Sequence, residues 1–150
     1  MKKIFSILLT LSLVVFISGT SIAQIRKIPA EVTSSFTARY PQATEVEWRD
    51  KLTGFAASFN IDGTDYVATF SNKGEWESTE QGFNQSDLPK SVQDGFEKSK
   101  YADWDVNQVT KIEMPNDVLQ YRIEVGKGDI NKKNLYFNSN GRMLKDKRTL

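Results

Sequence analysis

Glu45 and Glu47, and again Glu75 and Glu77, set two carboxylates two residues apart, the groups that would flank a glycosidic bond if the chain were a hydrolase. That chemistry needs one carboxyl protonated and one ionised at a fixed separation. Both pairs alternate with apolar residues such as Val46 and Trp76, which a solvated strand face produces with no catalytic purpose. Ser99 and Lys100 also fail as a nucleophile and base, because adjacent residues of a helix point in different directions. The 150 residues include no His and no Cys, which removes Ser–His–acid and Cys–His nucleophiles, the usual zinc sites, iron–sulfur clusters and His-ligated haem. "NIDGTD" (60–65) offers several oxygen ligands but lacks the Asp-rich spacing and distal Glu of a calcium loop, and reads as a hairpin turn. "GKGDIN" (126–131) lacks the third glycine and following helix of a phosphate loop, and the sequon Asn84-Gln85-Ser86 reads as linker. No catalytic residue, metal or cofactor is therefore expected.

Recognition is the chemistry left. Trp48 and Trp76 alternate in phase with apolar positions and belong to a core. Tyr136 differs, since Leu135 and Phe137 on either side claim the core and turn it outward. Tyr and Arg are enriched at the energetic centres of interfaces, so Tyr136 with Arg122 is the expected anchor, joined by Arg49 and Glu124 as a candidate recognition face.

Strands must position these side chains. Val46 and Trp48, then Phe55, Ala57, Phe59 and Ile61, then Tyr66, Ala68 and Phe70 keep a period of two. Ile112 and Met114, then Leu119, Tyr121, Ile123 and Val125, then Leu135 and Phe137 repeat it. Asp62-Gly63 suits a tight hairpin, and Gly74 and Gly141 stand where positive φ is expected. One face of these strands is apolar, so the other should carry the polar residues, among them Glu45, Glu47, Glu75, Glu77, Lys111, Glu113, Gln120 and the four candidates above.

Two helical stripes precede the strand sets. Ile28, Val32, Phe36 and Tyr40 recur every four residues after Pro29, and Leu88, Val92 and Phe96 do so after Pro89. Pro41 stops the first helix; Asp87 is placed to act near the N-terminus of the second, and Gly95 inside it costs about 1 kcal/mol relative to Ala. "IPAEVTSSF" (28–36) and "LPKSVQDGF" (88–96) match at a spacing of 60, and "FSNKGEW" (70–76) and "FNSNGRM" (137–143) at 67. The fold expected is α+β, a tandem repeat of helix plus four antiparallel strands, 24–86 and 87–150, with both helices on one face of the sheet.

Lys2 and Lys3, an apolar run from Ile4 to Ile17 and a small, polar stretch to Ala23 read as a signal peptide, 1–23, cleaved between Ala23 and Gln24. Without a Cys after the apolar run there is no lipid attachment, and a run this short is not a membrane span, so a periplasmic or secreted protein without stable membrane insertion is expected. Cleavage removes two of the 20 basic residues and none of the 19 acidic ones, a balance that does not call for nucleic acid.

The runs "IPAEVTSSFTARYPQATEVEW", "GEWESTE", "LPKSVQDGF" and "LYFNSNGRMLK", in this order, resemble the PepSY-like, β-lactamase-inhibitor-like proteins exported by Bacteroidetes. The resemblance implies the fold of β-lactamase inhibitor proteins, a tandem of α-plus-four-strand units, and an exported location; it carries over no contact residue. The leading expectation is an exported, non-catalytic binding module whose open sheet face docks an unidentified protein of the cell envelope. The alternative is a carrier of a peptide, lipid or glycan.

Overall fold

The computed structural model describes residues 26–128 and 130–149, so the expected signal peptide and the Ala23–Gln24 junction lie outside the described residues. Helix α1 (Ala30–Arg39) is followed by β1 (Thr44–Lys51), β2 (Gly54–Ile61), β3 (Thr64–Ser71) and β4 (Trp76–Phe83). A short 3-10 turn (Gln85–Asp87) leads to α2 (Lys90–Glu97), and then come β5 (Asp105–Met114), β6 (Val118–Lys127), β7 (Asn131–Asn138) and β8 (Met143–Arg148). The strands form one antiparallel sheet in chain order, and β4 pairs with β5 from Thr79↔Glu113 to Phe83↔Val109.

Directly paired residues share a face. The ladder Phe59, Tyr66, Gln81, Lys111, Tyr121, Phe137 therefore puts both apolar cores on one side of the sheet. Val32 and Phe36 of α1 pack there on Phe55, Ala57, Phe59, Ala68 and Phe70. Leu88 and Val92 pack on Ile123, Val125, Leu135 and Phe137. Burying each large side chain contributes roughly 1.5–3 kcal/mol. Phe36 meets the rings of Trp48, Phe59 and Phe70 edge to face.

Pro29 and Pro89 stand at the N-caps, where their carbonyls accept from Val32 and Thr33, and from Val92 and Gln93. Tyr40 caps α1 ahead of Pro41, as expected from the restriction a proline places on the residue before it. Asp87 does not act on α2, which corrects the sequence expectation. The 3-10 turn holds it three residues before the helix, and its carboxylate accepts from Asn84 Nδ2 and Ser86 Oγ instead.

Gly74 and Gly141, both left-handed (φ 81° and 79°), occupy the β3–β4 and β7–β8 turns. A Cβ on Gly74 would press on the Glu31 carbonyl of α1, and one on Gly141 would collide with the Ser91 carbonyl of α2. Glu31 and Ser91 are the two residues related by the spacing of 60, and the two glycines by 67, so each helix start meets its hairpin turn in the same way. Ser91 Oγ also donates to the Ser139 carbonyl at 2.6 Å. Gly95, costly to a helix, faces the backbone of Gly141 and leaves room for that turn.

Candidate recognition face

The sheet face opposite the helices is built from the alternate residues of each strand. One row runs Glu47, Ser58, Val67, Glu80, Ile112, Gln120, Asn138, and the next includes Gly82, Thr110, Arg122, Tyr136 and Lys145. The strands reach this arrangement through bulges. In β5 the register slips between Val106 and Gln108, leaving Asn107 extra, and every residue after it changes face.

That bulge overturns part of the expected pattern. Ile112 and Met114, expected in the core, point to the open face, whereas Lys111 and Glu113, expected on the open face, lie on the helix side. There Lys111 Nζ and Glu113 Oε1 pair at 2.7 Å, beside a depression of about 530 Å³ shared with Arg39, Trp76 and the β5–β6 turn. Arg39 stacks 3.4 Å above the Trp76 ring, and Trp76 Nε1 donates to buried Thr79. Val46, expected buried, is exposed, because β1 bulges between Thr44 and Glu47 with Glu45 at φ 53°.

Among the described residues no helix covers the open face, yet Ile112 is only 6% exposed and Thr110 only 4%. Arg122 reaches from β6 over β5 to Glu80 of β4, at 2.8 Å, and donates to Thr110 Oγ1 at 3.2 Å on the way. Burial works to lower the Arg122 pKa, but the Glu80 carboxylate, aided by Tyr136, outweighs it and holds the guanidinium above its ordinary value. Arg122 is thus a permanently charged, half-buried group fixed in place. Tyr136 stands directly opposite it on β7, with Lys145 Nζ 4.4 Å from the ring centroid.

The other two candidates are looser. Glu124 lies two residues further along β6 and accepts from the Asn107 amide at 3.5 Å, its one side-chain hydrogen bond among the described residues. Arg49 is on the same face but three strands from Glu80, and donates to Ser58 Oγ at 3.1 Å. Arg122, Tyr136 and Glu124 therefore form one group and Arg49 stands apart. Two residues that strand alternation does not single out join the group: Glu80, a strand acid like any other until its partner is known, and Lys145, in the basic end of the chain.

Glu45 and Glu47 are exposed, in a shallow depression with Asp65, and Glu75 and Glu77 are exposed near the β3–β4 turn. All four acids are solvated, so neither pair has the contrasting environments that would push its two pKa values apart. Among the described residues no group of three or more His, Cys, Asp or Glu could hold a metal, and no helix is long and apolar enough to cross a membrane. A cavity of about 370 Å³ lies beside α2, lined by Leu88, Phe96, Val106 and Ile123 with Gln85, Ser86, Gln93 and Glu97.

A family model described as "Putative beta-lactamase-inhibitor-like, PepSY-like" matches residues 53–145, which include Glu80, Arg122, Glu124, Tyr136 and Lys145 but not β1. The chain belongs to the PepSY-like family. Solved relatives of similar fold include a DUF2874 family protein of Bacteroides ovatus, 28% identical, covering 82% of this chain and 89% of its own, with a TM-score of 0.74. A BLIP-like protein of Bacteroides fragilis is 27% identical, covering 85% and 90%, with a TM-score of 0.73. A Bacteroides eggerthii protein from a group described as "putative periplasmic proteins" shares the fold at 24% identity, covering 82% and 90%, with a TM-score of 0.74. No curated protein matches the chain.

Proposed function

We propose that this PepSY-like protein is an exported, non-catalytic binding module that docks a protein of the cell envelope on its open sheet face. The observation that carries the reading is the grouping of Glu80, Arg122 and Tyr136 over a buried centre at Thr110 and Ile112. A charge already half-desolvated and held by a neighbour loses less on docking, and a Tyr beside it adds contact area at low entropic cost. The BLIP-like relative supports a protein partner, and the periplasmic description of the Bacteroides eggerthii relative supports export behind a leader at 1–23. The chain is read as two copies of one helix-plus-four-strand unit, 24–86 and 87–150, fused at the β4–β5 pairing.

Cross-linking in the native envelope tests the reading. A saturable protein partner is expected, lost or strongly weakened by Arg122→Ala with Tyr136→Ala. Unchanged capture with both substitutions would refute the face. The carrier reading rests on the cavity beside α2, half apolar and half polar in its lining, and predicts a rise in melting temperature with a linear fatty acid that Val106→Trp abolishes.

A further inference from the structure

We propose that β8 is a docking edge for an extended acidic segment of the partner, which adds to the sheet as a ninth strand. This rests on the protein-binding reading above and names the partner's chemistry at one border of the same face.

β8 ends the sheet, so its outer side has no neighbouring strand among the described residues. Thr149 N–H donates to the Lys132 carbonyl of β7 at 3.1 Å. Backbone groups alternate direction along an antiparallel strand, so Lys145 and Lys147 bond inward like Thr149, and the N–H and C=O groups of Asp146 and Arg148 point out of the sheet. An added antiparallel strand would bond to these two residues. Its residues opposite Lys145 and Lys147 would then occupy the close, non-hydrogen-bonded positions, where side chains approach most nearly.

Charge selects what can add there. Lys145 and Lys147 both face the open side, opposite Tyr136 and Asn134, and neither forms an ion pair among the described residues. The one acid of β8, Asp146, points to the helix side, where Tyr101, Lys133 and Lys100 engage it. Lysines on an edge repel basic strands, including another β8, and disfavour apolar ones, which would strip water from the ammonium groups and supply no counter-charge. An acid-x-acid segment meets both lysines on one face and adds backbone bonds to the edge, the recognition mode of strand addition. The β1 edge of a second copy offers Glu45 and Glu47, but its bulge at Glu45 breaks the alternation that pairing needs.

The test uses chain 24–150 and a fluorescein-labelled peptide, Thr-Glu-Val-Glu-Val-Glu-Thr, followed by fluorescence anisotropy at low salt. Saturable binding is expected, weakened roughly tenfold or more by Lys145→Glu with Lys147→Glu, and similarly by Gln in place of each Glu in the peptide. Methylating alternate backbone nitrogens of the peptide should also abolish it. Binding that survives methylation would be charge attraction alone and would overturn the strand addition, as would absence of binding or indifference to the lysine reversals. Sedimentation of the protein alone as a dimer dissolved by Glu47→Lys would make a second copy the occupant. Flotation with phosphatidylglycerol vesicles, lost in Lys145→Glu with Lys147→Glu, would make it a lipid surface. A captured partner that requires Arg122 and Tyr136 but ignores Lys145 and Lys147 would sink the edge proposal and leave the open-face reading standing.

Discussion

Replacing Gly95 by Ala sets helix propensity against packing. In an exposed helix the change stabilises by about 1 kcal/mol, because Ala surrenders less backbone entropy. In α2 the new Cβ would overlap the Gly141 carbonyl oxygen and lie 2.9 Å from its carbon and 3.1 Å from its Cα. All three are backbone atoms, so no side chain can swing away, and helix and turn must part by roughly 1.5 Å to restore ordinary contact. Overpacking of this kind costs about 1–3 kcal/mol. Losing the Ser91–Ser139 hydrogen bond that spans the same junction adds about 1 kcal/mol. The net expectation is a destabilisation of about 1–3 kcal/mol, with the melting temperature falling by roughly 3–12 °C for a chain of this size. Urea unfolding followed by circular dichroism measures it, with Gly82→Ala as a control because a Cβ there meets nothing within 4 Å. If Gly95→Ala raises the midpoint by the propensity term, the junction does not exist as described.

Gly141→Ala should cost more, about 2–4 kcal/mol in the same assay, since it combines the collision with Ser91 and a left-handed φ. Arg122→Ala should destabilise by about 1–3 kcal/mol because it leaves Glu80 half-buried without its partner; Arg122→Ala with Glu80→Ala should lose less than the sum of the single changes, and an additive cycle would show that the pair is not coupled. The Asp146 carboxyl is held below its ordinary pKa of 3.8, first by the Tyr101 hydroxyl and then by Lys133 and Lys100. Its stabilisation is therefore full above the unfolded value and lost as pH falls through the lower folded value. Tyr101→Phe should accordingly be less stable than the wild type at pH 6, and the difference should shrink as pH falls below 3.8; a constant difference would place the effect in packing alone.

Most of the strand pattern is legible because apolar alternation is a direct record of burial: Phe55 to Phe59, Tyr66 to Phe70 and Tyr121 to Val125 fall on the core side as their period requires. The pattern misleads in β5 for a physical reason. Ile112 is apolar and buried, but it is buried beneath an ion pair on the open face, and nothing in the local composition marks Asn107 as the extra residue. Val46 misleads in the opposite sense, an apolar residue left outside by a bulge. The open-face placement of Tyr136 and Arg122 is legible from their neighbours, whereas the link to Glu80 is not, since it spans 42 positions and an intervening strand. Arg26 was equally silent. It bonds Asp50 Oδ1 and Asn72 Oδ1, both at 2.9 Å, and lies over the Phe55 ring, so it fastens the segment before α1 to two hairpin ends.

The pairing of β4 with β5 makes the sheet continuous, and it also makes each half incomplete by one neighbour. Severed between Ser86 and Asp87, residues 24–86 would expose β4 and residues 87–150 would expose β5, two bare edges that match each other in register. Produced separately, each fragment should aggregate through its raw edge. Produced together, the two are expected to find each other and rebuild the whole sheet, and co-purification of one fragment through a tag on the other would show it.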